Sequence, residues 1–175
     1  MIYSAVQHTA PIAGQRDLCA ELLHGLIRHL GLWQAVPVVE HLPSGAPYLA
    51  NYPELHFSQS HSRTMVAVAL SKVGNVGIDV EGPRRVSSGL IVRVCTPCEQ
   101  QAIAAADTPD LEFIRLWTRK EACLKCLGTG IHGYESLLEA ESTAAAHGYV
   151  VDTLKVGEAF VSICHLSTDT VTSLP

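Results

Sequence analysis

Two carboxylates in "VGNVGIDVEGPRR" (Val73 to Arg85) are the first residues with chemistry to offer. If Gly77 to Glu81 is extended, side chains alternate in direction, so Asp79 and Glu81 share one face while Ile78 and Val80 share the other. The two charges then stand about 7 Å apart and repel unless something positive lies between them. Two readings are open: an edge strand with a solvated acidic face, or hard oxygen ligands for Mg²⁺ on one rigid strand. A second concentration of charge lies in "LEFIRLWTRKEACLKCLGTG". At about 100° per residue, Phe113, Leu116, Trp117, Cys123, Leu124 and Leu127 share an apolar face, with Arg115, Arg119 and Ala122 opposite. Lys120 falls inside the apolar face and Glu121 at its border, with Lys125 one turn further along that edge. Glu121 and Lys125 alone make an ordinary i,i+4 surface pair. Lys120, if buried without a partner, costs on the order of several kcal/mol, so it must snorkel out or meet an anion. If this helix meets the acidic strand, Asp79, Glu81 and Glu121 can share one cation, leaving Lys120 and Lys125 to hold phosphate oxygens beside it.

These residues need a strand and a helix to position them, and the chain supplies both. Residues 2–6 read as a first strand, and Arg16 to Leu30 as an amphipathic helix in which Leu18, Leu22, Leu26 and Leu30 recur every four residues. Proline and glycine crowd positions 37–53, which is loop composition. "LHFSQSHSRTMVAVALS" reads as two short strands, of which Met65 to Leu70 is apolar enough to be buried on both faces. Thr96, Pro97 and Glu99 spell a capping-box helix start. A further helix spans about Leu111 to Leu127 and stops at Gly128. "GYVVDTLKV" and "AFVSICHLS" read as closing strands. Strands and helices in both halves predict an α+β fold.

The chain of 175 residues is 47% apolar and carries a formal charge of −5, which suits one compact unit and excludes a general nucleic-acid binder. The N-terminal residues lack the basic start and long apolar run of a signal peptide, and Met65 to Leu70 is too short to span a membrane. The expectation is therefore a soluble, cytoplasmic protein whose six cysteines are reduced thiols. Cys95-x-x-Cys98 and Cys123-x-x-Cys126 superficially match a zinc ribbon, which would make the chain a zinc-stabilised binding module. Against it, the first pair straddles a helix start and the second lies inside a helix, where a knuckle needs a turn; small buried hydrophobes are the competing reading. "GTGIHG" (Gly128 to Gly133) is formally G-x-G-x-x-G but follows a helix, so it reads as a helix stop running into a loop rather than a dinucleotide fingerprint. A Mg²⁺-dependent phosphohydrolase can also use an Asp-x-Glu pair with a distant Glu.

"FSQSHS" (Phe57 to Ser62), "GIDVE" (Gly77 to Glu81) and "WTRKEACLKCLGTGI" (Trp117 to Ile131) together resemble the 4'-phosphopantetheinyl transferases of the two-lobed, surfactin-synthetase-activating type. The family signature G-[IV]-D-[IV]-E, W-[ST]-x-K-E-[AS]-x-x-K and G-x-G is met in order. The resemblance runs from about Gly45 to Ile131. It implies transfer of the 4'-phosphopantetheine arm of coenzyme A to a serine of an apo acyl- or peptidyl-carrier protein, releasing adenosine 3',5'-bisphosphate. It also implies two similar α+β lobes related by a pseudo-twofold axis, residues 1–82 and 83–175, with the active site in the cleft between them, and a monomer. Carried over by position, Asp79, Glu81 and Glu121 hold Mg²⁺, while Lys120 and Lys125 contact phosphate. Ser60 and His61 contact the coenzyme's 3'-phosphate, and Glu121 serves as base for the attacking serine. Catalysis of that displacement at phosphorus consists mainly of neutralising charge and aligning the hydroxyl, so Asp79, Glu121 and Lys125 carry it. The chain departs from the pattern at Gly45-Ala46-Pro47, where the family usually has a basic residue before the proline, and at Cys95, where it favours an aromatic.

Overall fold

The computed structural model describes residues 1–8, 14–130 and 134–174. Its first half contains β1 (Ile2–His8), α1 (Gln15–His29), β2 (Val39–His41), β3 (Pro47–Leu49), β4 (His56–His61) and β5 (Met65–Ser71). Then come β6 (Gly77–Glu81), α2 (Ser88–Val94), α3 (Pro97–Ala105), α4 (Pro109–Leu127), α5 (Tyr134–Ala146), β7 (Tyr149–Val156), β8 (Ala159–Leu166) and β9 (Val171–Leu174). The fold is α+β, with one sheet ordered β4-β5-β1-β9, a second ordered β6-β8-β7, and a β2–β3 hairpin. Among the described residues all pairings are antiparallel except β1 with β9.

The pleat of β5 explains how the layers join. Val66, Val68 and Leu70 bury one face against Leu23, Leu26 and Ile27 of α1. Met65, Ala67 and Ala69 turn the other way and pack with Ile78 and Val80 of β6 and with Val161 and Ile163 of β8. As its unbroken apolar run predicts, β5 is buried on both faces. The second sheet is covered on its far side by α4. That helix is more deeply buried than a single apolar stripe implies: Ala122, on the face predicted to be opposite the stripe, is wholly buried, as are Phe113 and Cys123 on the stripe. The cause is a helix held between a sheet on one side and α3 and α5 on the other.

The strand pairings cross the middle of the chain. β6 lies before residue 82 yet pairs with β8, and β9 returns to pair with β1. The hairpin, α2, α5 and β9 add to the elements expected from sequence. No helix among the described residues is long and apolar enough to cross a membrane.

Candidate active site

The site begins where α4 touches β6. Gly77 has no side chain because it has no room for one: a Cβ there would sit 2.0 Å from the Ala122 carbonyl oxygen and 2.5 Å from the Cys126 amide nitrogen. This contact brings the next residues on the same face of β6 under the next turn of α4. Asp79, only 5% exposed, receives the Lys125 ammonium at 2.8 Å on Oδ1. Lys125 also donates to the Ile78 carbonyl at 3.2 Å. From β4 the Ser60 hydroxyl donates to the same Asp79 Oδ1 at 2.7 Å. Asp79 Oδ2 is buried without a hydrogen-bond partner among the described residues.

Glu81 and Glu121 join this electrostatic cluster. Glu81 is pushed above the ordinary carboxylate range, first by burial and then by the negative charge of Asp79; Arg84, 3.9 Å away, and a hydrogen bond from the Trp117 indole oppose the shift. Glu121 is pushed up to about 7, chiefly by burial, then by Asp79 and more weakly by Glu81, with Lys125 opposing. Two carboxylates whose proton affinity is raised by burial and by a neighbouring negative charge mark a place short of positive charge.

Lys120 is the correction. The structure does not bring it to the carboxylates: it is 2% exposed, and its ammonium lies 2.9 Å from Glu99 and 3.0 Å from the Leu137 carbonyl. The anion demanded by its place on the apolar face is a carboxylate of α3, not a phosphate. Glu99 performs two tasks, since it also closes the capping box by accepting from the Thr96 amide at 2.6 Å. The sequence showed the cap but not the second partner. Removing Glu99 strands a buried ammonium, so Glu99→Ala is expected to cost about 3 kcal/mol, more than Lys120→Met, which removes the charge itself. Urea denaturation of both variants measures the difference.

Ser60 and His61 part company. Ser60 is buried and turned to Asp79, whereas His61, at the end of β4, is exposed. Lys125 also lines a cavity of about 610 Å³, together with Gly45, Ala46 and Pro47 before and at β3, Phe57 and Ser58 of β4, and Leu124. It therefore links the acidic cluster to the cavity. The residues 131–133 of the "GTGIHG" loop lie outside the described residues.

Among the described residues no three histidine, cysteine or carboxylate side chains stand, as placed, in a group that could hold a metal ion. The donor set nonetheless suits a hard cation. Asp79 offers an unpartnered buried oxygen, and Glu81 and Glu121 offer oxygens whose charges are poorly compensated. The cysteines differ in kind. All six are free; Cys95 is pushed up to about 11 by burial and then by Glu99, and Cys123 is pushed up by its hydrogen bond with Cys164 and by burial. Such thiols stay protonated and pack as small hydrophobes.

The elevated Glu121 carboxyl has a consequence for stability. Its value in the folded protein, about 7, exceeds its ordinary 4.5, so the proton is held more tightly in the folded state. The stabilisation is fully present below pH 4.5 and is lost as pH rises through about 7. Glu121→Gln is thus expected to exceed the unmodified chain in stability by about 1–2 kcal/mol above pH 7, after allowance for partial solvent screening. The difference should vanish in acid. Thermal melts at the two extremes measure it, and equal melting temperatures at high pH would contradict the strain assigned to Glu121.

Comparison with known proteins identifies the family. A model of the 4'-phosphopantetheinyl transferase superfamily matches residues 75–168. The 4'-phosphopantetheinyl transferase psf-1 of Bacillus pumilus is 32% identical over 127 residues, covering 69% of this chain and 53% of the relative. AcpT, a 4'-phosphopantetheinyl transferase of Escherichia coli O157:H7, is 34% identical over 97 residues, 53% of this chain and 50% of that protein. HetI of Nostoc, likewise a 4'-phosphopantetheinyl transferase, is 28% identical over 138 residues, 75% of this chain and 57% of that protein. The chain spans about half the length of these relatives. The matched region contains β6 and α4, the two elements that carry Asp79, Glu81, Glu121 and Lys125, and the chain belongs to the 4'-phosphopantetheinyl transferase superfamily.

Proposed function

We propose that this protein transfers the 4'-phosphopantetheine arm of coenzyme A to a serine of an apo acyl- or peptidyl-carrier protein and releases adenosine 3',5'-bisphosphate. The observation that carries the reading is Lys125, whose ammonium meets Asp79 and whose side chain lines the 610 Å³ cavity, so one residue joins the carboxylate cluster to a space able to take a ligand. Family membership and relatives named for this activity support it.

In this reading Asp79, Glu81 and Glu121 hold Mg²⁺. Bound there, the ion supplies neutralisation of charge on the pyrophosphate and offsets the mutual repulsion of the carboxylates. Lys125 exchanges part of its contact with Asp79 for a phosphate oxygen of the arm. Glu121 accepts the proton of the incoming serine hydroxyl, directly or through water. His61 is exposed and available to the coenzyme's 3'-phosphate. Lys120 is left out of the phosphate set because Glu99 and the Leu137 carbonyl already engage it.

The two-lobed, pseudo-twofold arrangement belongs to the same proposal. The order β4-β5-β1 in one sheet is matched by β7-β8-β6 in the other, and α1 and α4 cover their sheets alike, which supports two related lobes. Residues 1–82 and 83–175 approximate them, with β6 and β9 exchanged between the sheets. A cytoplasmic monomer completes the reading.

Transfer and hydrolysis are separated by following adenosine 3',5'-bisphosphate from coenzyme A and Mg²⁺ with and without apo carrier. Release only with the carrier is expected. Equal release without it would favour a Mg²⁺-dependent phosphohydrolase.

A further inference from the structure

We propose that Ser60 is a positioning residue for Asp79, holding that carboxylate so that Oδ2 is left for the cation; this rests on the Mg²⁺ reading of the carboxylate cluster. Strand β6 lies at the end of its sheet, so among the described residues one edge has no strand partner there. Along that edge β4 supplies side chains in place of a backbone ladder. The Ser58 hydroxyl accepts from the Ile78 amide at 3.1 Å, and the Ser60 hydroxyl accepts from the Val80 amide at 3.4 Å. Two serines one pleat apart therefore fasten one sheet to the other at the two amides flanking Asp79.

Ser60 does more than Ser58. A hydroxyl has one proton to give, and Ser60 gives it to Asp79 Oδ1 at 2.7 Å. The Lys125 ammonium reaches the same oxygen at 2.8 Å. Oδ1 is thus engaged from both sheets' sides, by β4 and by α4, while Oδ2 is buried with no hydrogen-bond partner among the described residues. A buried carboxylate with one oxygen fixed and the other bare is arranged as a ligand with its rotation set in advance. Ser60 is 7% exposed, so a phosphate reaching its hydroxyl would have to displace Asp79 from it. The geometry assigns the hydroxyl to the carboxylate rather than to the coenzyme's 3'-phosphate.

The test measures Mn²⁺ and Mg²⁺ affinity of the full chain by calorimetry in the absence of substrate, alongside kcat and KM for coenzyme A and for 3'-dephospho-coenzyme A. Ser60→Ala is expected to weaken metal binding by about tenfold or more and to lower kcat, because groups that orient a metal ligand typically have effects of that size. KM for coenzyme A should change little, and the preference for coenzyme A over its dephospho form should stay as it was. Ser60→Thr keeps the hydroxyl and should recover most of the metal affinity. Ser58→Ala, which loses only an acceptor for the Ile78 amide, should lower stability without weakening metal binding. The proposal is overturned if Ser60→Ala binds metal as the unmodified chain does, or if its KM for coenzyme A rises and the preference over the dephospho form is lost. It is also overturned if the unmodified chain binds neither ion. Metal binding that depends on Ser60 in a chain that modifies no carrier would instead uphold this role and defeat the transferase reading.

Discussion

Gly77→Ala is expected to be among the most damaging single substitutions in this chain, although it adds one methyl group. The new Cβ would lie 2.0 Å from the Ala122 carbonyl oxygen, 2.5 Å from the Cys126 amide nitrogen and 3.0 Å from the Ala122 carbonyl carbon. All three are backbone atoms of α4, so no side chain can swing aside to make room. Either α4 lifts from β6 or the strand shifts within its sheet, and both disturb the packing of Ile78, Val80, Ala122 and Cys126, which are buried. Overpacking against movable side chains typically costs about 1–3 kcal/mol. Against fixed backbone the loss should reach or pass the top of that range, a large share of the roughly 5–15 kcal/mol that holds a domain folded. The chemistry suffers by the same movement, because the Gly77–α4 contact sets how far Lys125 and Glu121 stand from Asp79. Thermal unfolding of purified Gly77→Ala checks this; a stability within about 1 kcal/mol of the unmodified chain would show that the contact is looser than described.

Asp79→Asn should leave the fold largely in place and remove the activity. The amide oxygen can still accept from Ser60 and Lys125, so the hydrogen bonds at 2.7 and 2.8 Å have a successor, while the negative charge is gone. On the proposed Mg²⁺ reading a cation would lose its most buried ligand, and Lys125 loses the anion that holds it beside the cavity. Loss of one well-placed electrostatic group at a reacting centre costs about 10²–10³ in rate, and the proposed role as a shared metal ligand puts Asp79 at the upper end. The same substitution removes the second largest cause of the raised Glu121 carboxyl, which should fall from about 7 towards its ordinary range. Carrier modification by Asp79→Asn within tenfold of the unmodified chain would contradict a charge-dependent role.

Much of the local structure around this candidate site is legible in the sequence, for identifiable reasons. The alternation in "GIDVE" is a strand pattern, and its glycine and paired carboxylates are explained by the close approach of α4 and by the cluster beneath it. The Thr96–Glu99 capping box is local, and it forms as read. Lys120 was legible as a residue in need of an anion, but not which anion, since Glu99 reaches it only through the packing of α3 on α4. The hydroxyl of Ser60 meeting Asp79 is a contact between sheets that no periodicity reveals. Ala122 falls opposite the apolar stripe in a helical projection, yet a helix held between a sheet and two other helices has no solvent face there. The three-residue strands of the hairpin are too short to show alternation amid proline and glycine, and β9 exists because β1 offers it a parallel partner.

The most direct measurement is the intact mass of an apo carrier protein after incubation with this chain, coenzyme A and Mg²⁺. A gain of one phosphopantetheine arm is predicted, lost when the active-site serine of the carrier is replaced and lost again with Glu121→Ala. No gain across several carriers would contradict the transferase function, and an undiminished gain with Glu121→Ala would contradict the site.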